Sequence, residues 1–344
     1  MEVWPTGRPV DPYFDCQLNA CILSRYGDVA AALREPMLVP ALAGATTPAA
    51  PVDSAAHAEF RAQALRTLAP VRLQQWEARF VPLANRMAAA LPAGRPMDLV
   101  EHFFNPWSIQ VASLAADVPD GQRERLASLA RRIFDAACEP YDAALRAASR
   151  QAVTELARFF HGAPPLHMQM FIALAHSLAA FLGNAWLALL AHPAELCSLR
   201  QEPSLLPGAI DELQRFAGPA KAQFRQAAAP VKIHGCTIPR GRQVILRLDI
   251  ANRDADEFPG PDRLQFDGRA TGHLAFGSGL HACVGAVLIK SAASAATRAL
   301  LERFHFADDF AAAPVDSFAI RYVKSLAVVL RPPDQNDPTA PCPC

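Results

Sequence analysis

Apolar positions recur at helical spacing through most of the chain before residue 218, in segments rich in Ala, Leu and Arg. The run from Ala55 to Leu91 is broken only at prolines, which predicts helices separated at those points. "DGQRERLASLARRIFDAA" reads as an amphipathic helix with Asp120 as its cap, and "AALRAASRQAVTELARFFHG" as a second one stopped at Gly162. From about His167 to Ala191 the apolar positions extend all the way round, predicting one long helix buried in protein and ended by His192-Pro193. "PSLLPGAIDELQRFAG" predicts another, closed by Gly218 and Pro219.

The period then changes. "APVKIHGCTIPRGRQVILRLDIANRD" alternates, carries β-branched residues and contains the turn "PRGR", so short strands and hairpins are expected. "DADEFPGPDRLQFDGRATG" is irregular and rich in Pro, Gly and Asp, as an ordered loop would be. A final helix is expected from Cys283 to about Phe304, and "SFAIRYVKSLAVVLRP" as a closing strand or hairpin. No internal repeat or linker interrupts the series. The fold class is therefore mainly α with a minor β region, a single domain over residues 1–334 with a tail at 335–344 expected to be disordered.

Composition narrows the function. The 344 residues are 51% hydrophobic with zero formal net charge, enough for a sizeable core and without the basicity that nucleic acid demands. "MEVWPTGRPVDPYFDC" is too polar and proline-broken for a signal peptide, and the most apolar stretch, Met168 to Leu190, is interrupted by His176, Ser177 and Asn184. A cytoplasmic protein with no membrane and no nucleic-acid partner is expected. Eight cysteines include no CxxC pair, so reduced thiols are expected. The terminal "PCPC" lacks the further ligands that zinc needs.

One cysteine stands apart. In "HLAFGSGLHACVGAVLIK", Cys283 lies between a glycine-broken loop and a long helical run. Gly277, Gly279 and Ala282 fit a loose dinucleotide pattern with Glu302 as its acid, but Glu302 belongs to the same helix and not to a following strand. A buried structural cysteine is a second reading. The third is a thiolate ligand: at a helix start, unsatisfied N–H groups and the dipole favour the anion, while the glycines let the backbone pass close to a flat partner. A lone soft anion cannot hold zinc, but it can hold an iron already carrying four porphyrin nitrogens.

The stretch Phe276-Gly277-x-Gly279-x-His281-x-Cys283-x-Gly285 resembles the cysteine-ligand signature of the cytochrome P-450 superfamily in its bacterial soluble form. Glu212-Leu-Gln-Arg215 is similar to the family's ExxR helix, and Pro261-Asp262-Arg263 to the segment whose arginine joins that pair. "RYGDVAAALREP", His57-x-x-x-Arg61 and "RYVKSLAVVL" look like further landmarks in family order. The resemblance implies the P-450 fold, a triangular helical prism with heme b (iron protoporphyrin IX) between the long central helix and the Cys-loop helix. Cys283 would be the axial ligand. Phe276, Gly277, Gly279 and Gly285 would shape its loop, and His57, Arg61, Arg225 and His281 would hold the two propionates. Read without the family, His57 and Arg61 are a solvated helix face, and Glu212 with Arg215 an ordinary ion pair one turn apart. Within it, Glu212, Arg215 and Arg263 form a buried network serving folding and heme retention.

The central helix departs from the family. Anchored on "GNAWLALLAHP", the residues Ala173-Leu174-Ala175-His176-Ser177 lie over A-G-x-(Asp/Glu)-Thr, so His176 replaces the acid, Ser177 the threonine and Leu174 the groove-making glycine. His176 and Ser177 are the candidate proton-delivery pair, with a packed helix histidine as the plainer reading of His176. Phe171, Leu174 and Ala175 are expected to line the substrate pocket. The stretch between Pro140 and Pro165 leaves little room for a full pair of lid helices, and the N-terminal region also looks abbreviated. The implied function is a tailoring oxidation, hydroxylation or oxidative coupling or cyclisation, of a small organic or natural-product substrate, free or carrier-bound. A ferredoxin- or flavodoxin-type redox partner, or peroxide, would drive it. Peroxide-driven or non-oxygenating catalysis and non-catalytic heme binding stay open as alternatives.

Overall fold

The computed structural model describes residue 4 and residues 7–43, 54–268, 270–307 and 309–332. The expected tail, with its "PCPC", lies outside the described residues. From the N-terminus the elements are β1 (Tyr13–Asp15), β2 (Ala20–Leu23), α1 (Tyr26–Arg34), β3 (Leu38–Pro40), α2 (Ser54–Thr67), α3 (Pro70–Ala89) and β4 (Pro96–Asp98). A helical block follows: α4 (Asn105–Ala115), α5 (Arg123–Cys138), α6 (Ala143–Phe159), α7 (Pro165–Ala175), α8 (Ser177–Leu190), α9 (Pro193–Gln201) and α10 (Leu206–Ala217). Then come β5 (Ala222–Ala227), β6 (Val231–Ile233), β7 (Cys236–Ile238), β8 (Gln243–Arg247) and α11 (Leu248–Ala251). The described chain closes with α12 (Ala286–Arg303), β9 (His305–Phe306), β10 (Ala311–Asp316) and β11 (Arg321–Arg331).

The helices enclose one large core in which Trp107, Trp186, Phe80, Phe103 and Phe181 are fully buried. Beside it a five-stranded sheet runs in the order β1-β2-β8-β5-β3, with β2 and β8 parallel and the other neighbours antiparallel. A second sheet pairs β10, β11 and β4. β6 and β7 form a hairpin whose turn puts His234 and Gly235 at φ 42° and 76°, the left-handed geometry of a tight two-residue connection.

Local chemistry accounts for several boundaries. Asp142 caps α6, its carboxylate accepting from the N–H groups of Ala144 and Leu145 at 2.8 and 2.9 Å. Asp120 does not cap α5 as expected; it sits in a 3-10 turn and pairs with Arg123 at 2.5 Å. The region between Pro140 and Pro165, read as too short for a helix pair, holds all of α6, packed along α5. The last helix starts at Ala286, three residues later than expected, leaving Cys283 in the preceding loop.

The long apolar helix is interrupted. It is α7 and α8, with His176 between them at φ −128°, ψ −27°. Together they are long and apolar enough to cross a membrane by composition, yet 78% of that window is buried in protein. Gly183 lets α8 lie against β11, since a Cβ there would stand 3.3 Å from Val323 Cβ. Asn184, a polar interruption in the sequence, donates from Nδ2 to the carbonyls of Ala217 and Arg321, both at 3.0 Å, tying α8 to α10 and β11.

Candidate heme-thiolate site

The Cys283 loop is built by backbone bonds. Gly277 N–H donates to Leu274 O, and Cys283 N–H to Phe276 O at 2.8 Å, folding the chain back on itself. Gly277 and Gly279 stand at φ 70° and 71°. At Gly279 the requirement is also steric: a Cβ would meet Leu33 O at 3.0 Å and Arg34 Cα at 3.1 Å, so only glycine lets the loop seat on the end of α1. From α2, Arg61 Nη1 donates to Leu280 O at 2.8 Å and Ala282 O at 2.9 Å, bracing the loop from the other side. The Cys283 side chain is left exposed, with the N–H groups of Gly285 and Ala286 turned toward its sulfur.

Those donors and the Arg61 charge favour the thiolate, but partial enclosure of the sulfur outweighs them and raises its pKa. The residue as a whole is exposed, and the sulfur nonetheless sits low enough among its neighbours to be desolvated. Helix-start geometry and desolvation thus pull the Cys283 pKa in opposite directions. No group of three or more His, Cys, Asp or Glu among the described residues could hold a metal ion. A single thiolate needs a metal that brings its other ligands with it, as heme iron does.

His57, Arg61, Arg225 and His281 do converge. The His57 and His281 rings lie 4.6 Å apart, and burial, Arg225, His57 and Arg61 together lower the His281 pKa. Arg225 on β5 is 5% exposed. Its guanidinium donates to Gln223 Oε1 at 2.8 Å and Phe224 O at 3.1 Å, its Nε has no partner, and burial lowers its pKa to about 10. A buried guanidinium with no carboxylate partner among the described residues, beside two imidazoles and a second arginine, is a binding surface for carboxylates. The two propionates of heme fit it. Phe276 contributes its carbonyl to the Cys283 amide, while its ring lies 5.6 Å from that of His273.

Beneath the loop, Glu212 and Arg215 form a bidentate pair, both bonds 2.7 Å, each side chain 4% exposed. Arg215 also donates to Asn252 O and Pro261 O at 2.9 Å and to Arg263 O at 3.2 Å, and Gln265 N–H donates to Glu212 Oε1. The expected role of Arg263 is corrected here: only its carbonyl joins, and its side chain is exposed. The additional buried guanidinium is Arg253, paired with Asp262 at 2.7 Å and lying 3.9 Å over the Phe216 ring. Nothing local marks Arg253; it follows a short helix, α11, that only the tertiary fold places beside α10.

Comparison with known proteins decides the family. The Cytochrome P450 family model matches residues 197–332. Cytochrome P450 107B1 of Saccharopolyspora erythraea is 30% identical over 277 residues, 73% of this chain and 68% of that protein. The vitamin D(3) 25-hydroxylase of Pseudonocardia autotrophica is 30% identical over 310 residues, 78% and 76% of the two chains. This chain belongs to the cytochrome P450 family. Among solved structures, P450BioI in complex with an acyl carrier protein carrying hexadec-9Z-enoic acid superposes with a TM-score of 0.83 at 21% identity, covering 94% of each chain. As a P450 the protein is a heme oxidoreductase of the monooxygenase kind.

The P450 central helix places its candidate residues on different faces. Gln169, Ala173 and Ser177, four residues apart, form the open stripe of α7 and the start of α8. Phe171, Leu174 and Ala175, expected to line the pocket, point instead into the core at 3% exposure or less, Phe171 lying 6.2 Å from the Phe160 ring. They sit on the helix face turned to α4, because that is where the apolar partners are. Ser177 Oγ donates to Ala173 O.

His176 belongs to neither set. Its Nε2 lies 2.9 Å from Ala127 O on α5 and its ring 6.0 Å from Phe134, beside a cavity of about 40 Å3 that Arg131 and Tyr322 also line. Burial lowers its pKa, with Arg131 adding to the effect and the Ala127 carbonyl and Asp135 opposing it. A histidine held neutral in the native state binds fewer protons than the unfolded chain below its ordinary value of 6.5, so its share of stability is complete above that pH and lost as pH falls. His176→Gln, which keeps a donor for Ala127 O, is expected to gain stability relative to the native protein between pH 7.5 and 5.5 in urea unfolding. A constant difference across that range would show that the ring is not held neutral.

Proposed function

We propose that the protein is a heme b monooxygenase that hydroxylates a small organic or natural-product substrate, with Cys283 as axial ligand and His57, Arg61, Arg225 and His281 holding the propionates. The observation that carries this reading is the buried Arg225 guanidinium, with no carboxylate partner among the described residues, in the same cluster that braces the Cys283 loop. The names of relatives support hydroxylation: 6-deoxyerythronolide B hydroxylase of Saccharopolyspora erythraea, 40% identical over 139 residues, is among them. When bound, thiolate-ligated heme iron supplies the activation of oxygen. The chain's own part is to hold the sulfur, bind the propionates and relay a proton through Ser177 Oγ, whose hydroxyl would accept a proton as its own bond to Ala173 O is given up.

The packing of His176 favours a second reading. With that ring bonded to α5, His176 does not serve Ser177 as a proton source, and peroxide, which brings its own electrons and protons, becomes the alternative oxidant. Product formation with NAD(P)H plus a ferredoxin-type donor, set against peroxide alone, separates the two. Ser177→Ala is expected to slow NAD(P)H-driven turnover by about 10²-fold, the low end for a lost proton donor, and to leave peroxide-driven turnover intact. Unchanged NAD(P)H-driven turnover in the variant removes Ser177 from proton delivery.

A further inference from the structure

We infer that Ser108 is a positioning residue, one whose hydroxyl splices into the central helix and thereby fixes where Ser177 presents its own. Ser108 lies on α4 and is fully buried. Its Oγ donates to Leu174 O at 2.6 Å and accepts the Ala179 N–H at 3.1 Å. These two groups are five residues apart, whereas a continuous α-helix would join each to a partner four residues away. A hydroxyl inserted at that point holds the ladder open, and the open point coincides with the non-helical His176 and with the Ser177 to Ala173 bond. Leu174, where the family pattern has glycine, does not close the break, because the hydroxyl makes it from the neighbouring helix.

The brace has a second anchor. Trp107, the residue before Ser108 and equally buried, donates from Nε1 to Ala292 O on α12 at 3.2 Å. Adjacent residues of α4 thus grip the helix that follows Cys283 and the helix that carries Ser177. Two consecutive residues of one helix link the thiolate side to the hydroxyl side.

The inference rests on the proposed role of Ser177, and the experiment keeps the two apart. Ser108→Ala, Ser177→Ala and Ser113→Ala are prepared as holoproteins. Ser113 provides the control, a buried hydroxyl on the same helix with no hydrogen-bond partner among the described residues. Ser108→Ala is expected to speed amide exchange at Ala179 about tenfold. It should also lower kcat for NAD(P)H-driven turnover toward the Ser177→Ala level with KM unchanged, while the peroxide-driven rate holds and Ser113→Ala changes neither. Native-like exchange at Ala179 together with native kcat in Ser108→Ala overturns the inference even if Ser177→Ala is impaired. Altered exchange with both kcat values native upholds the splice and sinks the Ser177 reading instead. If Ser108→Ala does not accumulate, Ser108→Cys, with a weaker donor and acceptor, reads the same two quantities in graded form.

Discussion

Cys283→Ala is expected to abolish monooxygenase turnover entirely and, in the reduced protein under CO, to erase the absorption signature of a thiolate-bound heme, while the chain stays folded. The fold survives because the loop around Cys283 is held by groups other than its sulfur: the backbone bonds to Phe276 O and Gly279 O, the Arg61 contacts to two carbonyls, and the seat of Gly279 on α1. The side chain packs against little of the core, so its loss opens no large cavity. Loss of that signature follows from chemistry, since no other cysteine lies in this loop. A thiolate spectrum that persists in the variant would move the ligand elsewhere and dismantle the site described above.

The second large effect is structural. Glu212→Ala or Arg215→Ala is expected to cost roughly 3–5 kcal/mol, because each leaves an uncompensated charge in a nearly dry site. With total stabilities of about 5–15 kcal/mol, either variant should lose heme or fail to accumulate. Removing Glu212 is the harsher case: Arg215 would lose its carboxylate while the like charge of Arg253, which keeps Asp262, stays close by. Arg263→Ala, by contrast, should stay within about 0.5 kcal/mol, since its side chain is exposed and its carbonyl contact to Arg215 remains. Urea unfolding of the three variants measures all of this, and an Arg263→Ala loss as large as that of Glu212→Ala would put its guanidinium back in the network.

Much of this architecture is legible locally, and its failures are instructive. Gly162 past the end of α6 and the turn at Pro239–Arg242, closed by the Arg242 N–H to Pro239 O bond with Gly241 at φ 79°, depend on chemistry within a few residues, and pattern reading reaches that far. The Asp120 cap failed because a 3-10 turn intervenes: α5 starts only at Arg123 with Gln122 in the cap position, and Asp120 lies two residues ahead of it. The pocket residues failed for a different reason. Phe171, Leu174 and Ala175 are apolar, and apolarity alone does not say whether a side chain faces a ligand or a neighbouring helix; α4 takes that face.

The sequence by itself determined the heme-loop pattern around Cys283, the Glu212-Arg215 turn, the helix-then-strand order and the family, since each is carried by residue type and short spacing. Tertiary structure alone decided that Arg253 supplies the additional buried guanidinium, that Arg225 is buried beside His281, and that the Ser108 hydroxyl on α4 bonds Leu174 O and the Ala179 N–H on either side of His176. These are contacts between residues 37 to 71 positions apart or on separate strands and helices. Their geometry depends on how whole elements pack, and no window along the chain contains it.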